Sequence, residues 1–206
     1  TVIVKGKLNK VIPEFQGKFG LSNLDTLKGY CNFAMYKTDD SSITVKRKKL
    51  GSDEFPEEFI FSGKGAKSNY RCMLASAIEA QPNPRKTEWD IDITIQKSKI
   101  EEFRQMSSIL KDEQFMFISL EDGDLKFYIG SPDSTENHAV ITIAEDIDGD
   151  LKNIFQWKIS NFLSIARLSD NVKFRMISKG LINMAVDSEY GTYEYYLPRY
   201  IVEETN

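Results

Sequence analysis

The 206-residue sequence predicts an α+β fold built from two copies of one β-rich domain, the first copy lacking its opening elements. Three observations carry this expectation. Residues 88–198 read as strand, helix, four strands, helix, three strands. Residues 1–76 read as strand, strand, helix, three strands, which is the later part of the same order. The stretches Phe19-Gly20-Leu21-Ser22-Asn23 and Trp157-Lys158-Ile159-Ser160-Asn161 fall at the same point of both, their Ser-Asn pairs 138 positions apart. The domains are therefore drawn as residues 1–76 and 88–206, with residues 77–87 as connector.

In the first copy, residues 1–8 alternate as a strand, Pro13 interrupts, and residues 16–21 resume one. Ser22 with Asp25 forms a capping box for a helix over residues 22–36. Its apolar positions Leu24, Leu27, Cys31 and Ala34 follow at helical spacing. Residues 43–49, 59–62 and 68–74 are strands, the last two joined by the turn at Gly63-Lys64-Gly65. Gln81, Pro82, Asn83 and Pro84 break the pattern and mark an extended connector.

In the second copy, Trp89, Ile91, Ile93 and Ile95 alternate with polar residues, as in a half-buried strand. Ser98 and Glu101 form a second capping box, and Ile100, Phe103, Met106 and Leu110 define one apolar helix face. Residues 115–120 and 125–129 pair across Asp122-Gly123, a strong hairpin signal. Strands at 138–145 and 153–159 precede a short helix at 161–168. Strands at 172–177, 180–186 and 192–197 close the domain.

Composition excludes several classes. There is no run of about 18 apolar residues, hence no membrane-spanning helix, and no basic-then-apolar leader for secretion. The chain does not begin with Met, so an upstream piece is expected. The two cysteines, Cys31 and Cys72, are too few for a disulfide framework and read as small buried hydrophobes in a reducing compartment. Net charge is −4, which by itself does not point to nucleic acid. Asp146, Asp148 and Asp150 imitate the start of a calcium loop, but the required Gly and Glu positions hold Leu151 and Trp157. His138 is the single histidine and has no nucleophile signature near it. No metal-ligand spacing, phosphate-binding glycine loop or catalytic pattern is present, so neither cofactor nor enzyme activity is expected.

The repeated order of elements resembles the processivity fold of DNA sliding clamps, and among these the homotrimeric clamp of tailed bacteriophages. The resemblance rests on residues 22–36 with the strands after them, on residues 88–129, and on residues 156–198 ending Gly191-Thr192-Tyr193-Glu194-Tyr195-Tyr196-Leu197-Pro198. It covers nearly the whole chain as a pattern. The departure is a missing strand-helix-strand-strand at the start, about 40 residues by analogy with the second copy. The resemblance implies sheets outside and two helices per domain inside a ring that encircles duplex DNA without reading its sequence. It implies a polymerase tethered for processive synthesis, an ATP-dependent clamp loader as a further partner, self-association as a trimer, and the cytoplasm of an infected bacterial host.

Lys97, Arg104 and Lys111 stand seven apart on one helix face, with Lys99 beside them. In a clamp these residues would meet phosphates across the lumen, joined by Lys28 and Arg167 on the other helices. Lys37 and Lys158, at helix boundaries, are further positions. The run Lys46-Arg47-Lys48-Lys49 reads instead as a charged edge strand. Clamps also receive apolar client peptides beneath the connector, and Met73, Ile78, Tyr195, Leu197 and Pro198 are the residues here that would line such a pocket. The alternative is a β-rich module that binds a peptide or protein and never surrounds DNA. A small enzyme with atypical acids is a third reading.

Overall fold

A computed structural model describes residues 2–78, 88–133, 135–149, 151 and 154–201. The chain forms two compact units, one of Thr1–Asn9 with Arg85–Asn206 and the other of Lys10–Pro84.

The larger unit holds β1 (Ile3–Leu8), β6 (Ile91–Gln96), α2 (Lys97–Ile109), β7 (Phe115–Glu121), β8 (Asp124–Ile129), β9 (Ala139–Ala144), β10 (Phe155–Lys158), α3 (Ile159–Ala166), β11 (Asn171–Ile177), β12 (Leu181–Asp187) and β13 (Gly191–Pro198). These strands make two antiparallel sheets, ordered β1-β13-β12-β11-β6 and β10-β7-β8-β9. Asp122 and Gly123 both adopt positive φ, 53° and 86°, which closes the β7–β8 hairpin where the sequence predicts it.

Alternation sends Val172, Phe174 and Met176 of β11, and Ile182, Met184 and Val186 of β12, into one core with Met116, Ile118 and Phe127 of the second sheet. Helices α2 and α3 cover that core side by side. The Phe103 ring meets Phe162 at 5.7 Å and Phe127 at 5.8 Å, and Phe162 meets Phe127 at 5.5 Å, all near perpendicular. Trp157 is buried and donates its Nε1–H to the Leu197 carbonyl at 3.2 Å, tying β10 to the end of β13.

Strand β1 pairs antiparallel with β13, from Ile3↔Tyr196 to Leu8↔Gly191, a partner that the sequence reading does not name. Alternation identifies a strand and its two faces; it carries no information about which neighbour the edge bonds to.

The smaller unit holds β2 (Phe19–Leu21), α1 (Leu24–Asn32), β3 (Ser42–Leu50), β4 (Asp53–Gly63) and β5 (Ala66–Leu74), in the sheet order β2-β5-β4-β3. Its core cluster is small: Phe59, Phe61 and Tyr70 are buried, with Phe19, Leu27, Tyr30, Tyr36, Val45 and Cys72 packed around them. No residue of α1 is buried, and Leu24 is 62% exposed.

Several local expectations are corrected here. The first helix ends at Asn32, and a separate 3-10 turn covers Ala34–Tyr36. Its cap is Asn23, not Ser22; the Asn23 side-chain oxygen accepts from the Thr26 N–H at 3.0 Å. Helix α2 has no side-chain cap, because Ser98 lies inside it and Glu101 turns to Arg104. Cys31 is exposed and only Cys72 is half-buried. Strand β4 starts six residues earlier than read, since a bulge between Lys46 and Arg47 lets β3 pair past Pro56. Of the connector, Ala77, which ends a 3-10 turn begun at Ala75, and Ile78 are described; residues 79–87 lie outside the described residues.

One polar cluster on β7 and β8 sets an acid limit. The Glu121 carboxylate accepts from Ser119 Oγ and Tyr128 OH, each at 2.6 Å, and from Lys126 Nζ at 3.0 Å. These bonds hold its pKa down to about 2, Ser119 contributing most. Because the folded-state value is depressed, the stabilisation is complete above the unfolded value near 4.5 and is lost as pH falls toward 2. With 42% of the side chain exposed, solvent screening leaves about 1 kcal/mol of this. Acid titrations of the native chain and of Glu121→Gln should therefore converge between pH 4.5 and 2. Parallel curves through that window would refute the assignment.

Candidate nucleic-acid and partner surfaces

The helix cations are present but not bare. Lys97 bonds Asp170, Lys99 donates to Glu102 at 2.9 Å, and the Nε of Arg104 donates to Glu101 at 3.0 Å. Asp170 beside Lys97 raises that ammonium pKa, and Glu101 does the same for the Arg104 guanidinium. All of these side chains are substantially exposed, so water screens each pair and none of them holds its carboxylate firmly. A phosphate of similar charge can displace such carboxylates at little cost. Lys97 and Lys99 also occupy the first turn of α2, which has no acidic residue, against the preference of the helix dipole.

Lys111 is not on this helix. Leu110 caps α2 with φ −92° and ψ 62°, so the seven-residue spacing from Arg104 to Lys111 no longer marks a shared face. Lys111 lies with Asp112 and Glu113 in a separate groove. Lys28 is exposed on α1, and Arg167 caps the C-terminus of α3. The run at 46–49 occupies an edge strand, as read: Lys46 and Lys48 flank Glu57 at 3.4 and 3.3 Å, and Arg47 reaches Glu54 at 3.1 Å.

The five proposed peptide-contacting residues do not share one unit. Met73 and Ile78 belong to the smaller unit, where both crowd Gly20 so closely that a Cβ there would lie within 3.4 Å of each. Tyr195, Leu197 and Pro198 lie on β13. Leu197 is 2% exposed and is a core residue, Tyr195 packs half-buried on the same core, and Pro198 is exposed.

Sequence reasoning missed what surrounds Pro198. Val2, Trp157, Lys158, Asn161, Leu197, Pro198, Arg199 and Tyr200 enclose a pocket of about 220 Å³. Lys158 stands over the Tyr200 ring at 5.4 Å, and the Arg199 guanidinium over the Phe155 ring at 4.6 Å. The signal available in the sequence was the Tyr-Tyr-Leu-Pro-Arg-Tyr run at the end of the last strand.

Two strand edges are the other notable surfaces. Strand β9 ends its sheet, carries no charged residue, and leaves Val140 50% exposed. Strand β5 pairs with β2 only at residues 72–74, so residues 66–71 have β4 on one side and no strand on the other among the described residues.

No family model matches the sequence, and no curated protein matches it. Among solved structures, the chain is similar to one of the C-terminal region of FEN-1 bound to A. fulgidus PCNA. The TM-score is 0.54 at 9% identity, over 81% of this chain and 67% of that chain. A likeness at this identity is one of fold alone. Its antiparallel sheets with their few helices thus give this chain a clamp-like fold.

Proposed function

We propose that the chain is a sliding clamp of bacteriophage type, a head-to-tail homotrimer that encircles duplex DNA and tethers a DNA polymerase. The observation that carries this reading is the pairing of β1 with β13. Strand β9 stands before β10, α3, β11, β12 and β13 as β1 stands before β2, α1, β3, β4 and β5, which reads as one module used twice. Residues 66–71 of β5 correspond to residues 191–196 of β13, the stretch that β1 covers, at a constant offset of 125. The bond that β1 makes to β13 within one chain is the bond that β9 of one copy would make to β5 of the next. Such a heterologous contact closes a ring when the rotation fits. An uncharged edge strand left open is otherwise an aggregation hazard.

Charge favours the same contact. Residues 10–84 carry 11 Lys+Arg and 9 Asp+Glu, while the remaining residues carry 16 and 22. A net +2 unit therefore meets a net −6 unit at each junction, which steers head-to-tail association. Contacts of Lys97, Lys99, Arg104, Lys28 and Arg167 to phosphate would be weak and exchangeable, as sliding requires. Polymerase held on the ring stays at high effective concentration near the primer end. Opening the ring falls to an ATP-dependent loader.

The test is topological. After loading onto nicked circular DNA, the protein should stay bound at about 0.5 M salt, where phosphate contacts alone fail, and should run off when the circle is cut. Equal loss from circular and linear DNA would overturn the proposal and favour the module that binds a peptide without surrounding DNA.

A further inference from the structure

We propose that Gly6, Tyr193 and Gly191 form a pairing lock, which admits β1 to the β13 edge and keeps the β9 strand of a second copy off it. This rests on the head-to-tail reading above and specifies why β9 would go to β5 and not to β13. Two similar edges compete for two similar strands, and a β9 strand that displaced β1 would join copies through the other edge.

Burial does little to hold β1. Val4 is 51% exposed and Leu8 50%, so little apolar area keeps the strand in place. What distinguishes β1 is its fit. Gly6 pairs with Tyr193, and a Cβ at Gly6 would lie 2.8 and 2.9 Å from two ring carbons of Tyr193. Leu8 pairs with Gly191, where a Cβ would run into the Lys7 carbonyl oxygen. Neither glycine has a positive φ. Both serve a close approach that leaves no room for a side chain. One stands on each strand, so the fit is reciprocal. The ring on β13 fills the gap on β1, and the backbone of β1 fills the gap on β13.

The other pair lacks both features. Strand β9, Ala139-Val140-Ile141-Thr142-Ile143-Ala144, has no glycine, so in every register a Cβ would stand against the Tyr193 ring. At the offset of 125, β5 has Ser68 in place of Tyr193 and Ala66 in place of Gly191. The single aromatic residue of β5, Tyr70, is buried against Phe59 with ring centroids 6.1 Å apart. Its hydroxyl also accepts from the Asn23 N–H at 3.1 Å, so this ring is committed to its own core. Strand β5 thus leaves space for the β-branched side chains of β9, while its Ala66 methyl opposes the backbone of β1. Intrinsic preference alone favours the reverse at β13, since glycine weakens a strand and Val, Ile and Thr strengthen one.

Hydrogen exchange of the full chain, read by mass spectrometry on peptides covering residues 2–9, tests the lock. Gly6→Val should speed exchange of β1 about tenfold, against the strand propensity of valine. With Tyr193→Ala added, the rate should return to within about twofold of Tyr193→Ala alone, because the valine then has space. Replacing Ile3–Leu8 by a copy of Ala139–Ala144 should speed exchange of the grafted strand, and Tyr193→Ala should slow it again. Peptides from β7 and β8 should keep native rates throughout, which reports a folded unit. If they do not, Gly6→Ala is the smaller intrusion, with the same sign expected. Slower or unchanged exchange with Gly6→Val would overturn the lock. So would an effect of Gly6→Val that is equal with and without Tyr193→Ala, or a grafted strand as well protected as β1. These readouts lie within one copy, and sedimentation of the same samples reads the ring. A native trimer without the coupling sinks this inference alone, and a native monomer with the coupling intact sinks the ring alone.

Discussion

Replacing Phe162 with alanine should remove about 4 kcal/mol from the stability of the larger unit, the usual cost of emptying a buried phenylalanine site. Phe162 is 1% exposed and its ring is shared by Phe103 of α2 and Phe127 of β8. It is therefore the point where both helices and the β10-β7-β8-β9 sheet meet, and the cavity left by alanine has rigid walls that cannot collapse into it. Since whole domains are stable by only about 5–15 kcal/mol, the loss is a large share. Leu24, at the start of α1 in the smaller unit, is by contrast 62% exposed. Leu24→Ala should cost at most about 0.5 kcal/mol. Urea unfolding followed by fluorescence of the buried Trp157 measures the first, and far-ultraviolet circular dichroism of the same titrations the second. A Phe162→Ala loss below about 1 kcal/mol would contradict the packing described.

The second large effect concerns association. Val140→Lys places a cation on the open β9 edge, where under the proposed pairing it meets the uncharged Tyr70 of β5. A charge buried at an interface without a partner costs several kcal/mol, so each junction should weaken more than a hundredfold, roughly 3 kcal/mol. The fold itself should be unaffected, because Val140 is half exposed and outside the core. Val140→Thr is the matched control and should still associate. Sedimentation and circular dichroism of the two variants together decide the matter. Unchanged association of Val140→Lys would remove β9 from the interface.

Much of the fold is readable in the sequence where one local signal is decisive. Asp122-Gly123 carries chemistry that closes a two-residue hairpin cheaply, and the strands on either side follow. Ile100, Phe103 and Met106 mark the buried face of α2 and Leu110 caps it, the first two buried and the other two packed on the core edge. Where the outcome depends on partners distant in sequence, the signal fails. The alternation of residues 1–8 cannot say that β13 is the neighbour. Helical spacing at Leu24, Leu27 and Cys31 suggests a packed face, yet burial needs something to pack against, and α1 has little.

The candidate sites divide in the same way. Charged residues are visible in a sequence, but their counterions are not: Asp170 reaches Lys97 from the turn before β11. A spacing of seven is meaningful only while the helix continues, and α2 stops before Lys111. Leu197 and Pro198 end β13, as the alternation and the proline predict. Only the packing shows that Leu197 is buried and that Lys158, Arg199 and Tyr200 line the same pocket.

The ring is the central claim, and mass tests it most directly. Sedimentation equilibrium of the chain at micromolar concentration should give a species of three copies, three times 23.6 kDa. A single 23.6 kDa species at every concentration would contradict the account.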